Sequence, residues 1–215
     1  MILESFYIYK CPNCGNLISR ESYISGNTFG AQIFSDGKII APMHPLIPNL
    51  TKCKKCETIF WLSKLKEIGT FGCDDCTNYV KEWKESDCAA FLDLEDNYNA
   101  LDKGLAENKE EELNIRISIW WEYNNRIREG ENIFRDEKDE LRWTENLERL
   151  KTLLDQSDID QRMMIAEINR NLGDFENCIS VIQTIDDDEV NRMKEKILNE
   201  CHRKNKWVVE LDNDN

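Results

Sequence analysis

The spacing of apolar residues changes character once along the chain. Up to about residue 70, apolar residues come in short runs broken by turn formers. Phe6 to Tyr9 reads as a short strand. Thr28 to Phe34 reads as another, then Ser35-Asp36-Gly37 as a turn, then Lys38 to Ala41 as the return strand. Asp-Gly between apolar runs signals a hairpin, because glycine accepts positive φ without steric cost. Pro42, Pro45 and Pro48 mark an irregular loop, and Ile59 to Leu62 reads as a closing strand.

From about residue 86 the spacing becomes helical. Phe91, Leu94, Tyr98, Leu101 and Leu105 share one face of a first helix. Leu113, Ile117, Trp120, Trp121 and Ile127 do so for a second, and Trp143, Leu147, Leu150 and Leu154 for a third. A fourth helix is expected from Asp160 to Leu172, a fifth from Asp174 to Ile185 and a sixth from Glu189 to Arg203. The breaks are short, so neighbours are expected to pack as antiparallel hairpins. The pattern predicts an α+β, multidomain chain. A small β-rich domain covers 1–70, a junction 71–85, an all-α array of helix hairpins 86–207 and an acidic tail 208–215.

Charge sharpens that division. Residues 1–70 carry eight Lys/Arg against five Asp/Glu, and residues 71–215 carry twenty against thirty-seven. The second part is expected to repel nucleic acid and anionic membranes at long range. The same acidity also serves to keep exposed helices in solution. No run approaches eighteen consecutive apolar residues, so no membrane span is expected. Met1 to Lys10 lacks the basic start and long apolar run of a secretory signal. Nine cysteines, six of them in C-x-x-C pairs, point to metal in a reducing compartment, and a cytoplasmic location is expected.

Cys11-Pro12-Asn13-Cys14-Gly15 is the most specific motif. Two intervening residues let both sulfurs reach one metal, and Gly15 relaxes the turn so that backbone N–H groups can bond the sulfurs. Cys53-Lys54-Lys55-Cys56 is the second such knuckle, its lysines partly offsetting the charge of four thiolates. Each knuckle adjoins an expected strand, and knuckle plus strand, repeated, is the layout of a zinc ribbon. One structural Zn2+ on Cys11, Cys14, Cys53 and Cys56 is therefore expected.

A rival pairing exists. Thirty-eight residues separate Cys14 from Cys53, but only sixteen separate Cys56 from Cys73, inside the usual window for two pairs sharing a metal. Chemistry favours the first two pairs. Asp74 and Asp75 would add negative charge to an anionic centre, and no glycine follows Cys76. The same aspartates oppose a redox role for Cys73 and Cys76, since a reactive cysteine needs a depressed pKa. Cys88, Cys178 and Cys201 read as core or near-core residues. His44 reads as structural or exposed, and His202 as the end of the last helix, where a cation is mildly favourable. No Ser/His/Asp set, H-E-x-x-H or phosphate-binding glycine loop is present, so no catalytic residue and no enzymatic activity is expected.

Ala166 to Ile185 reads A-E-I-N-R-N-L-G-D-F-E-N-C-I-S-V-I-Q-T-I. This segment resembles a tetratricopeptide (TPR) repeat around its inter-helix turn. Gly173, Asp174 and Phe175 match the turn, Ala166 the small position of the first helix, and Cys178 stands where alanine is usual. The large aromatic of the first helix and the closing proline are missing, so the domain is TPR-like. The resemblance implies a short solenoid with a protein-binding face. Taken whole, the chain is similar to uncharacterised bacterial zinc-ribbon (CPxCG) proteins with TPR-like helical tails, and that similarity implies no catalysis.

Trp120 and Trp121 are expected between hairpins, and Arg116, Arg126 and Arg128 are expected to pair with neighbouring acids. The leading expectation is a non-enzymatic interaction protein whose helical domain binds a protein partner. The rival is nucleic-acid binding through the ribbon by Lys52, Lys54, Lys55, Lys64 and Lys66. Serine at both Cys73 and Cys76 is expected to leave metal content per chain unchanged, while serine at Cys11 and Cys14 abolishes it. Elemental analysis of the two purified variants checks this, and the reverse pattern selects the sixteen-residue spacing.

Overall fold

The computed structural model describes residues 2–72 and 81–211. Its strands are β1 (Ile2–Lys10), β2 (Leu17–Ser25), β3 (Gln32–Phe34), β4 (Ile39–Ile40), β5 (Leu50–Lys52), β6 (Ile59–Trp61), β7 (Gly69–Gly72), β8 (Asp87–Cys88) and β9 (Glu210–Leu211). A short helix α1 (Lys81–Lys84) lies between β7 and β8. The helices α2 (Leu94–Asp102), α3 (Lys109–Arg128), α4 (Glu137–Leu153), α5 (Ile159–Asn171), α6 (Phe175–Gln183) and α7 (Asn191–His202) follow. The chain is thus mixed α+β, β-rich first and helical afterwards.

Helix starts follow local chemistry. Asn108, Asp136, Asp158 and Asp174 each accept a hydrogen bond from the backbone N–H three residues on, capping α3 to α6. The end of α5 is a Schellman turn: Gly173 N–H bonds Arg170 O and Asp174 N–H bonds Asn169 O, with Gly173 at φ 82°. Glycine is required there by conformation, because a Cβ would meet nothing within 4 Å.

Two compact units form, and they do not follow a single cut in the sequence. One holds the residues up to Ala31 together with Ala41–Asp96. The other holds Gln32–Ile40 together with the residues from Asn97 on. The linear division expected from the pattern (1–70, 71–85, 86–207, 208–215) differs from this in three places. Residues 32–40 group with the helices, residues 86–96 group with the β-rich unit, and Glu210–Leu211 of the acidic tail is a strand.

In the first unit the strand order is β7-β1-β2-β8, with β1 antiparallel to β2 and β7, and β8 parallel to β2. β2 was not evident from apolar spacing. It forms because β1 supplies its ladder, with Tyr9 opposite Ile18 and Lys10 opposite Leu17. β5 and β6 make a separate hairpin, Lys52 opposite Ile59. Tyr9, Ile18, Phe60 and Leu62 pack with Cys11 and Cys53 in one buried cluster. Phe91, expected on the first helix face, precedes α2 and is exposed.

In the second unit the sheet order is β4-β3-β9, and Leu211 pairs with Ile33. The helices pack consecutively, α3 on α4, α5 on α6 and α6 on α7. The buried face of α3 is Ile115, Ile119, Trp120 and Tyr123, whereas Leu113, Ile117, Trp121 and Ile127 are only partly covered. The face is rotated because polar residues are buried with their partners. Arg126 donates to Asp139 Oδ2 at 2.5 Å, and Asn124 to Asp36 Oδ2 at 2.7 Å. Apolar counting does not see such positions.

Residues 32–40 belong with the helices for the same reason. Asp36 is fully buried and accepts from Arg128 at 2.5 Å as well as from Asn124. Trp121 Nε1 donates to Asp36 O at 3.1 Å. Ser35 Oγ donates to Glu167 Oε1 at 2.7 Å and accepts from Val209 N–H at 3.0 Å. Glu167 and Arg170 form a fully buried ion pair one turn apart on α5, and Arg170 also donates to Asn205 O at 2.5 Å. Charges taken out of water need such partners, and deleting one leaves the other uncompensated, which costs about 3 kcal/mol or more. Asp36→Ala is therefore expected to lower the urea stability of the helical unit by about 3 kcal/mol while leaving metal content unchanged. Equilibrium unfolding followed by circular dichroism, with elemental analysis alongside, checks both halves.

Candidate metal centre

Two C-x-x-C pairs each occupy the loop of a hairpin: Cys11 and Cys14 between β1 and β2, Cys53 and Cys56 between β5 and β6. The two loops share one backbone pattern. Cys11 N–H bonds Asn16 O at 2.8 Å and Gly15 N–H bonds Cys11 O at 3.0 Å. Cys53 N–H bonds Thr58 O at 2.9 Å and Glu57 N–H bonds Cys53 O at 2.8 Å. Both therefore need a left-handed residue just after the second cysteine. Gly15 supplies it at φ 72°, and Glu57 at φ 57°. A side chain in that region costs about 1 kcal/mol, so the second knuckle carries strain that the first avoids. The sequence reading singled out Gly15 and missed Glu57, since nothing in glutamate announces a positive φ.

The four sulfurs of Cys11, Cys14, Cys53 and Cys56 all lie within 4.8 Å of one another. The Cys11–Cys56 separation is 3.6 Å and the Cys14–Cys53 separation 3.7 Å. Each short edge joins one knuckle to the other, so the pairs interleave. A disulfide requires about 2.05 Å, and all four are free thiols. A tetrahedral ion with metal–sulfur bonds of about 2.3 Å sets sulfur–sulfur edges near 3.8 Å, and these edges fit.

The surroundings act unevenly on the sulfurs. Backbone N–H groups of Cys14 and Asn13 bond the Cys11 sulfur, and that of Asn16 bonds Cys14. Thr58 Oγ1 lies 3.3 Å from Cys56 Sγ. That hydroxyl, then the Thr58 N–H and the Asn13 side chain, pull the Cys56 thiol down to about 5. At Cys14 the Asn16 N–H pulls downward, but burial and the three neighbouring thiols outweigh it and push the group up to about 12. Burial raises Cys11 as well. Without a cation, then, Cys56 takes the negative charge while Cys11 and Cys14 hold their protons. A bound cation removes that conflict, and all four sulfurs become ligands.

The remaining expected residues fall elsewhere. His44 is exposed and does not join the sulfur cluster. His202, also exposed, ends α7. Cys73 and Cys76 lie outside the described residues. Cys88, expected near the core, is exposed on β8, with Ser19 Oγ 3.6 Å from its sulfur. Lys52 is paired with Asp96, and Lys54 Nζ lies 3.8 Å from Asp87. Trp120 is fully buried and donates to Asn171 Oδ1 at 2.8 Å. Arg116, Arg126 and Arg128 pair with Glu112, Asp139 and Asp36. Among the described residues no helix is long and apolar enough to cross a membrane. No family model matches the chain, and no curated protein or solved structure matches it either.

The proton distribution fixes the pH dependence of metal uptake. Cys11 and Cys14, both raised, are protonated at neutral pH and must lose their protons to bind, so affinity rises with pH. At least two protons leave per ion, which is about a hundredfold in affinity per pH unit between pH 6 and 8. Competition with a chromophoric chelator across that range measures the slope. A slope below tenfold per unit excludes the four-thiolate site.

Proposed function

We propose that this chain is a non-enzymatic, cytoplasmic interaction protein. Its four cysteines hold one structural zinc ion, and its helical unit is the platform for a protein partner. The observation that carries the zinc reading is the set of interleaved sulfur edges of 3.6 and 3.7 Å. Four soft thiolates in a closed tetrahedron, with no position left for a water, suit structural rather than catalytic zinc. The ion then clamps two hairpins that share no strand ladder.

The platform reading draws on the TPR-like resemblance. Ala166 and Cys178, its two small positions, are both fully buried in one cluster with Met163, Ile182 and Ile197. That supports close approach of α5 and α6, as helix hairpins of such arrays require. Charge suggests the partner's character. The arginines of α3 face internal carboxylates, while residues 71–215 carry thirty-seven acids against twenty bases. A partner with a basic contact face fits that surplus.

The rival, nucleic-acid binding through the ribbon, loses ground at its lysines. Lys52 and Lys54 already face Asp96 and Asp87, so fewer positive charges remain for phosphate. A fragment holding the helices alone lacks Gln32–Ile40 of the same unit. The whole chain is used instead. Capture from native lysate is expected to retain a protein partner that dissociates as salt rises from 50 to 500 mM, together with no binding of mixed DNA or RNA by fluorescence anisotropy. Nucleic-acid binding that is lost when Lys54, Lys55, Lys64 and Lys66 become alanine, with no protein retained, moves the function to the ribbon.

A further inference from the structure

A second sulfur pair lies apart from the metal centre. Cys178 on α6 and Cys201 near the end of α7 are both buried, and their Sγ atoms are 3.3 Å apart. That is closer than either short edge of the four-cysteine cluster. Their surroundings do not resemble a metal site. Met163, Ala166, Ile182 and Ile197 wall them in, and among the described residues the only cluster of three or more metal-binding groups is the one at Cys11, Cys14, Cys53 and Cys56. Two thiols alone do not complete a tetrahedral zinc shell.

We propose that Cys178 and Cys201 are a redox modification site, closing to a disulfide between α6 and α7 when the protein meets a hydroperoxide. The sulfurs need to approach by little more than 1 Å to reach the bonded distance of about 2.05 Å. The two positions have distinct chemistry. The two thiols share one hydrogen bond; the Cys178 side chain favours the thiolate at Cys201, opposed by burial and assisted by the Arg170 guanidinium. Cys178 is held protonated by that same bond and by burial. Cys201 is thus the attacking sulfur and Cys178 the resolving one.

The step balances. The Cys201 thiolate attacks one peroxide oxygen, forming an S–O bond and breaking the O–O bond. The departing oxygen takes a proton to leave as water or an alcohol, giving a sulfenic acid. Cys178 sulfur then attacks the sulfenic sulfur, forming S–S and breaking S–O. The hydroxyl leaves with the Cys178 proton as water. Two thiols lose two electrons, and the hydroperoxide gains them. Burial restricts the oxidant to a small one, because Cys201 is only 3% exposed and Cys178 is fully covered.

The bond would close a loop of about two dozen residues, which restrains the unfolded chain. It also ties α7 to α6 immediately before the segment 203–209, through which Arg170 and Ser35 hold Asn205 and Val209. Oxidation is therefore expected to stabilise the helical unit as a whole.

The test uses the whole zinc-loaded protein and hydrogen peroxide. After exposure, denaturation and alkylation, trypsin cuts at Arg192, Lys194 and Lys196 and places the two cysteines on separate peptides. A Cys178–Cys201 cross-linked peptide, reversed by dithiothreitol, is expected at peroxide levels that leave zinc bound. The thermal midpoint of the helical unit is expected to rise on the order of 10 °C. In Cys178→Ser, Cys201 should stop at the sulfenic acid and be trapped by dimedone, whereas Cys201→Ser should leave Cys178 unmodified. Peptide mapping of the unaltered chain keeps the test decisive if either variant folds poorly. The proposal is overturned if both cysteines stay reduced while the exposed Cys88 is oxidised. It is equally overturned if the cross-link forms only in unfolded protein or lowers the thermal midpoint.

Discussion

Four sulfurs packed within 4.8 Å repel one another once they ionise, and the β-rich unit is arranged around that repulsion. β1–β2 and β5–β6 belong to different sheets. No ladder of backbone hydrogen bonds holds one hairpin loop against the other. What meets there is two thiols from each, with Cys11 and Cys53 buried in the apolar cluster. In the absence of a cation the charge settles unevenly, low at Cys56 and high at Cys14. On the proposed reading, a bound cation turns a mutually repelling set into a cross-link, and metal binding is linked to the folding of this unit.

The helical unit meets the opposite condition, buried charge set against opposite charge. Asp36 with Arg128, Glu167 with Arg170, and Arg126 with Asp139 have side chains no more than 10% exposed. Such pairs add little net stability over well-packed apolar residues, but each is costly to break singly. Their effect is selective: they specify which segment occupies the site. Ser35 and Asp36 satisfy Glu167, Arg170, Arg128 and Asn124, so a nine-residue excursion from the first half of the chain becomes part of the second. Cys178 and Cys201 lie near the same guanidinium, which links the chemistry of that thiol pair to the buried ionic centre.

These features bear on function through what is left at the surface. The arginines of α3 pair with carboxylates, and Lys52 and Lys54 of the β-rich unit face carboxylates. Both arrangements reduce the positive charge available to phosphate. On the proposed reading, that balance suits a protein partner recognised by complementary charge rather than a polyanion.

Much of this was legible from local chemistry. The cysteine knuckles follow from spacing alone, because two intervening residues set the geometry of a metal-binding turn whatever surrounds it. α4 to α6 were legible because their caps and apolar stripes lie within a few residues of one another: Asp136, Asp158, Asp174 and Gly173 act on their own turns. Whatever depended on partners distant in sequence was not legible. β2 and β9 exist only because β1 and β3 pair with them. The buried face of α3 includes Asn124 and Arg126, held by Asp36 and Asp139, beside its apolar residues. Glu57 adopts a glycine-like conformation because the Cys53 loop must close. The segment 32–40 reads as an insert in the ribbon, since its hairpin signal is local while the buried charges that claim it lie about 130 residues further on. Sequence sets interactions between neighbours; only the folded chain decides which distant polar groups must be buried together, because that depends on the water each would otherwise keep.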